Sequence, residues 1–190
     1  MQIRKSAALK KIAGIVLTAT MLAAVSAQAQ ESGASEPQAA KGPCDAELFR
    51  QFDFWIGEWE VFTEGGDKVG DNIITKEENG CLLVEHWTDA QGNTGQSYNF
   101  VDHHDNQWRQ LWVSPGAVID YAGAMSSPGV IDLEGTLASP GSEPQQFRGT
   151  WARQEDGSVR QHLRHFDTEK DEWAAGFVGI YKKKNAGGGK

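Results

Sequence analysis

From Thr94 to Val113 the chain runs TGQSYNFVDHHDNQWRQLWV. Two strand-length runs, 94–102 and 107–113, flank a turn at Asp105-Asn106. Successive side chains of a strand point to opposite faces. Trp108, Gln110 and Trp112 therefore share one face, and Arg109, Leu111 and Val113 the other. The run 81–88 has the same mixed character, with Leu83, Glu85 and Trp87 opposing Leu82, Val84 and His86. A polar group buried without a partner costs a few kcal/mol. Glu and Gln among bulky inward residues thus suit a barrel with a wet or liganded interior better than a solid sandwich.

The same grammar extends in both directions. Strand-like runs are predicted at 55–63, 69–77, 81–88, 94–102, 107–113, 117–125, 130–137, 146–154, 158–167 and 172–182. Turn signals separate them, among them Gly65-Gly66, Asn79-Gly80, Pro115-Gly116, Pro128-Gly129 and Asp156-Gly157. Short strands at regular spacing without intervening helices indicate an antiparallel all-β fold. About ten hairpin-linked strands leave exposed edges unless the sheet closes on itself. The predicted fold is an up-and-down β-barrel over 44–183 with one short N-terminal helix. That helix is placed at Cys44–Phe54, where Leu48, Phe49 and Phe52 share a face and Asp45 is available as N-cap.

The first 29 residues have a different composition. Arg4, Lys5, Lys10 and Lys11 precede a largely apolar run from Ile12 to Val25, and Ala27-Gln28-Ala29 supplies small residues for a peptidase. This pattern predicts a secretory signal cleaved after Ala29. Cleavage removes four positive charges and takes the formal charge from −8 to −12. Residues 30–43 hold no large apolar side chain and read as a flexible leader, and 184–190 as a glycine-rich tail. Such an acidic chain lacks the basic surface that a nucleic-acid partner requires. It is equally unsuited to stable association with anionic membranes. In the periplasm or outside the cell, Cys44 and Cys81, the only two cysteines, are expected to form a disulfide.

At Phe52-Asp53-Phe54-Trp55-Ile56-Gly57-Glu58-Trp59-Glu60-Val61 an aromatic run leads into Gly-x-Trp at the first strand. Further stretches follow in order: Asn79 to Trp87, Gly95 to Phe100, Trp108 to Val113, Gly157 to Gln161 and Trp173 to Tyr181. Together they resemble the calycins, the lipocalin-like barrels, and within them the secreted bacterial family called domain of unknown function 1579. The resemblance covers nearly all of 44–183. It implies a barrel with an internal cavity and a structural role for Trp59 across the closed end, and it supplies no activity. The haem-binding nitrobindins are similar ten-stranded barrels that hold iron through a histidine on a late strand, where this chain has His162 and His165. It lacks their alternating glycines after the tryptophan, having Glu60, Val61 and Phe62 instead.

The candidate site gathers Glu85, Trp87, Asn99, Trp108, Gln110, Trp112, Trp151, Arg160 and His162 from separate strands. Aromatic walls with a few polar groups make an ordinary small-molecule pocket, and the expected partner is a small, partly apolar ligand. Three other readings stand beside it. One is an isomerase or hydrolase with Glu85 as a desolvated base and His162 as acid. The second is a filled barrel with a structural role, and the third is haem binding. No cofactor and no metal site are expected. Asp102-His103-His104-Asp105 places four metal-ligating types in a row, but neighbours in a turn rarely converge on one ion, so it reads as a solvated hairpin tip.

Overall fold

The computed structural model describes residues 42–184. The predicted signal segment and most of the predicted leader and tail lie outside these residues. Ten antiparallel strands form the sheet: β1 (Gly57–Phe62), β2 (Lys68–Glu77), β3 (Leu82–Asp89), β4 (Thr94–Asp102), β5 (Gln107–Ser114), β6 (Ala117–Ser127), β7 (Val130–Ala138), β8 (Gln145–Arg153), β9 (Val159–Asp167) and β10 (Glu172–Lys183). Each strand pairs with its sequence neighbours. β10 closes on β1 through Trp59↔Lys183 to Phe62↔Ile180. The fold is a closed all-β, calycin-like barrel, and closure leaves no free edge.

The predicted helix takes a different form. The short helical segment is present, as two 3-10 turns, Glu47–Arg50 and Asp53–Trp55, within the predicted stretch and one residue beyond it. Phe49, Phe52 and Trp55 are buried at a spacing of three, which matches the three residues per turn of that helix. A segment that bridges one barrel end must turn its rings inward at each step, and an α-helix would rotate them out of line. Asp45 does not cap it either. Its carboxylate accepts from the backbone N–H of Gly42 at 2.6 Å, and Ala46 holds the N-cap position without a side-chain bond.

Three contacts fasten these turns to the barrel. The Cys44–Cys81 disulfide joins the segment ahead of the first turn to the start of β3. The Lys76 ammonium donates to the Phe49 carbonyl at 3.1 Å and to Asp53 Oδ1 at 2.5 Å. The Trp59 indole N–H donates to the Trp55 carbonyl at 2.8 Å. Trp59 is buried beneath the plug, with Lys183 Nζ 4.1 Å above its ring and donating to the Ile56 carbonyl. Gly57 makes this possible, since a Cβ there would stand 2.2 Å from Lys183 Nζ.

Rings fill the plugged half. Phe52 stacks on Trp55 at 5.0 Å and meets Trp108 and Trp151 edge-on at 5.6 and 5.5 Å. Ile74, Leu83, Val101, Ile131, Leu133 and Val159 complete it. Aromatic pairs in such geometries add about 0.5–1.5 kcal/mol each beyond area burial.

Candidate functional site

Next to this apolar half the inward positions change character. Buried polar side chains appear on seven of the ten strands around the barrel waist: Asn72 on β2, Glu85 on β3, Ser97 and Asn99 on β4, Gln110 on β5, Tyr121 on β6, Gln161 on β9 and Tyr181 on β10. The register brings them level, with Glu85 opposite Ser97, Asn99 opposite Gln110, and Gln110 opposite Tyr121. All are buried, so each polar group needs a partner.

The partners form a directed chain. The Tyr121 hydroxyl donates to Gln110 Oε1, and Gln110 Nε2 donates to Asn99 Oδ1. Asn99 Nδ2 donates to Ser97 Oγ at 2.9 Å, and that hydroxyl donates to Glu85 Oε2 at 2.6 Å. From the other side Asn72 Nδ2 donates to Glu85 Oε1 at 2.6 Å. It also reaches the Tyr181 hydroxyl at 3.4 Å, which donates to Gln161 Oε1 at 2.9 Å. Ser97 and Asn72 thus place one donor on each oxygen of Glu85, an arrangement that suits a carboxylate, while the Tyr181 branch runs away from it to Gln161.

Burial nevertheless dominates the titration of Glu85. Removal from water pushes its pKa up to about 7, against the lowering effect of the Ser97 and Asn72 bonds. Burial likewise holds the Tyr121 and Tyr181 hydroxyls well above their ordinary value. Among the described residues no cation forms an ion pair or a hydrogen bond with Glu85.

Beyond this belt the barrel is hollow. A cavity of about 230 Å³ presents Glu85, Gln110, Gln161, Tyr121 and Tyr181 on its polar side. Trp87, Trp112, Ile119, Leu163 and Phe177 form its apolar walls. Two strand glycines seat the indoles. A Cβ on Gly70 would meet the Trp87 ring at 2.5 Å, and one on Gly95 would meet the Trp112 ring at 2.1 Å. Each indole thus lies across a neighbouring strand where only glycine leaves room.

Of the nine expected residues, Glu85, Trp87, Gln110 and Trp112 line the cavity. Asn99 joins the belt behind it, bonded to Gln110 and Ser97. Trp108 and Trp151 face inward but belong to the filled half, against Phe52. Arg160 and His162 are corrections. Gln161 and Leu163 line the cavity, so the residues alternating with them on β9 point out. Arg160 pairs with Glu64 at 3.0 Å on the exterior. Placing two guanidinium groups, Arg160 and Arg164, in the interior would cost far more than burying one amide, which is why β9 takes this phase. Glu85 and His162 therefore lie on opposite faces and cannot form an acid–base pair. Of the two histidines of the haem reading, His162 faces out for the same reason; His165 shares the strand phase of Gln161 and Leu163, but the cavity wall holds no histidine.

Sequence reasoning did not single out Asn72, Ser97, Tyr121, Gln161, Tyr181, Ile119, Leu163 or Phe177. Alternation contained part of the signal. Val159, Gln161 and Leu163 form the less charged face of β9, opposite Arg160, His162 and Arg164. At the hairpin tip, Asp102 Oδ1 accepts from the His104 N–H and Asp105 Oδ1 from the Gln107 N–H, and His103 rests on Phe49 at 5.7 Å. No cluster suited to a metal ion occurs among the described residues. Comparison with protein-family models and with curated proteins gives no match for this chain.

Proposed function

We propose that this protein is exported, and that its barrel takes up a small, partly apolar molecule in the half away from the 3-10 turns. The observation that carries the reading is the joint presence of an aromatic-walled cavity and a hydrogen-bonded polar belt along one side of it. Indole walls supply apolar contact, and a few fixed polar groups orient what enters. The volume of about 230 Å³ exceeds the roughly 150 Å³ that accommodates benzene and falls below the roughly 300–1,000 Å³ of drug-sized sites. The ligand size that fits is one ring with a short substituent. The Cys44–Cys81 bridge is in keeping with an oxidising compartment, as is the signal pattern of the first 29 residues.

Native mass spectrometry of the protein purified from its own host tests both parts. The expected spectrum shows a chain beginning at Gln30 with a non-covalent adduct of small mass, lost from the Trp112→Phe, Trp87→Phe double variant. A chain that retains Met1 would overturn export. Bare protein under gentle conditions, with no uptake from a library of single-ring compounds, would overturn the binding reading.

A further inference from the structure

The polar side of the cavity is unbalanced. Glu85 is a carboxylate with no cationic partner among the described residues, and the only other titratable groups lining the cavity are Tyr121 and Tyr181. Both hydroxyl protons are already committed, to Gln110 and Gln161. Beside Glu85, Asn72 Oδ1 is buried without any hydrogen-bond partner, although the amide nitrogen of the same side chain is 2.6 Å from the carboxylate. Acceptors therefore outnumber donors around Glu85. A fold does not hold a lone carboxylate in a dry site without a substantial cost. Trp87 and Trp112 line the same cavity, and an indole face attracts a cation.

We propose that the cavity selects a small protonated amine, its ammonium paired with Glu85 and its apolar part held between Trp87 and Trp112. This rests on the binding reading above and gives it a ligand class. The usual weakness of a buried ion pair is the cost of drying both charges. Here the fold has already buried the carboxylate, so the main added cost of binding is the desolvation of the ammonium, which then donates to Glu85. A neutral ring of equal size gains the same walls and leaves Glu85 unpaired. An anionic ligand adds a second negative charge to the site.

The probes are benzylamine and phenethylamine with their isosteric alcohols, titrated into the purified protein at pH 8 and followed by calorimetry and tryptophan fluorescence. The amines are expected to bind at least tenfold more tightly than the alcohols. Their affinity is expected to fall by up to tenfold per pH unit below about pH 7 as Glu85 takes up a proton. The alcohols should show no such dependence. Tyr121 and Tyr181 stay neutral across this range, so Glu85 alone changes charge on the cavity wall. Glu85→Gln, which keeps size and shape, is expected to abolish the preference. Equal binding of amines and alcohols, or an amine affinity independent of pH, overturns the ligand class and leaves the cavity reading standing. Failure of all four probes overturns both.

Discussion

The two halves of the barrel share the same ten strands and differ in what their inward positions carry. On the plugged side, Trp55, Trp59, Trp151 and Phe52 are at most 1% exposed and pack ring against ring. On the other side, Trp87 and Trp112 are only partly buried and frame a cavity. Both halves use tryptophan, so residue type does not decide which side is solid. The difference comes from what covers the end. The 3-10 turns, tied down by the disulfide and Lys76, drive Phe52 and Trp55 into one mouth. Among the described residues, the other end carries the hairpin loops between its strands and no such turns across it. Stability is concentrated in the first half and chemical opportunity in the second, with Glu85 at the boundary.

The comparison breaks most sharply with one tryptophan from each side. Trp151→Ala removes a fully buried indole from the filled half and is expected to cost about 3–5 kcal/mol. Trp112→Ala removes a partly exposed wall and is expected to cost about 1 kcal/mol while widening the cavity. Chemical denaturation of both variants measures the gap, and equal losses would erase the distinction between the halves. Replacing Cys44 and Cys81 together by Ala frees a connection spanning 37 residues. On loop-entropy reasoning this costs about 4 kcal/mol. The same denaturation assay reports it, and limited proteolysis should then cut first around the 3-10 turns.

Glu85 sharpens the boundary through pH. Its folded-state pKa of about 7 lies above the ordinary 4.5, so the folded protein binds the extra proton between these values. Its contribution to stability is therefore intact below about pH 4.5 and lost as pH rises through 7. The ionised form costs about 3 kcal/mol relative to the protonated one. The stability difference between Glu85→Gln and the parent should grow in the variant's favour by about that amount from pH 4.5 to 8. A difference flat in pH would mean that water reaches this carboxylate freely. At the small end, His162→Ala lies on the exterior and should change stability by no more than about 0.5 kcal/mol, with ligand uptake untouched.

Much of this architecture was legible in the amino-acid sequence. The runs 94–102 and 107–113 correspond to β4 and β5 to within one residue, because a two-residue period between turn residues is a strong local signal. The disulfide followed from the cysteine count and the compartment pattern. Three features were harder to read. The 3-10 turns depend on the barrel mouth they bridge, which no local period encodes. The phase of β9 depends on choosing between two faces that both carry polar groups, and there the charge on Arg160 and Arg164 was the better guide. The split between solid and hollow halves depends on position along each strand. Trp108 and Trp112 share a face and lie four residues apart, yet one packs against Phe52 and the other walls the cavity. The belt became readable only once the register placed Glu85 opposite Ser97 and Gln110 opposite Tyr121.

The central claim is that Glu85, without a cationic partner among the described residues, is a carboxylate buried at the inner side of the cavity. Carbon-13 NMR of protein labelled at glutamate side-chain carboxyls reads this directly. The expected result is one glutamate resonance with a midpoint near pH 7, absent from the Glu85→Gln variant. A spectrum in which every glutamate, Glu85 included, titrates below about pH 5 would contradict it.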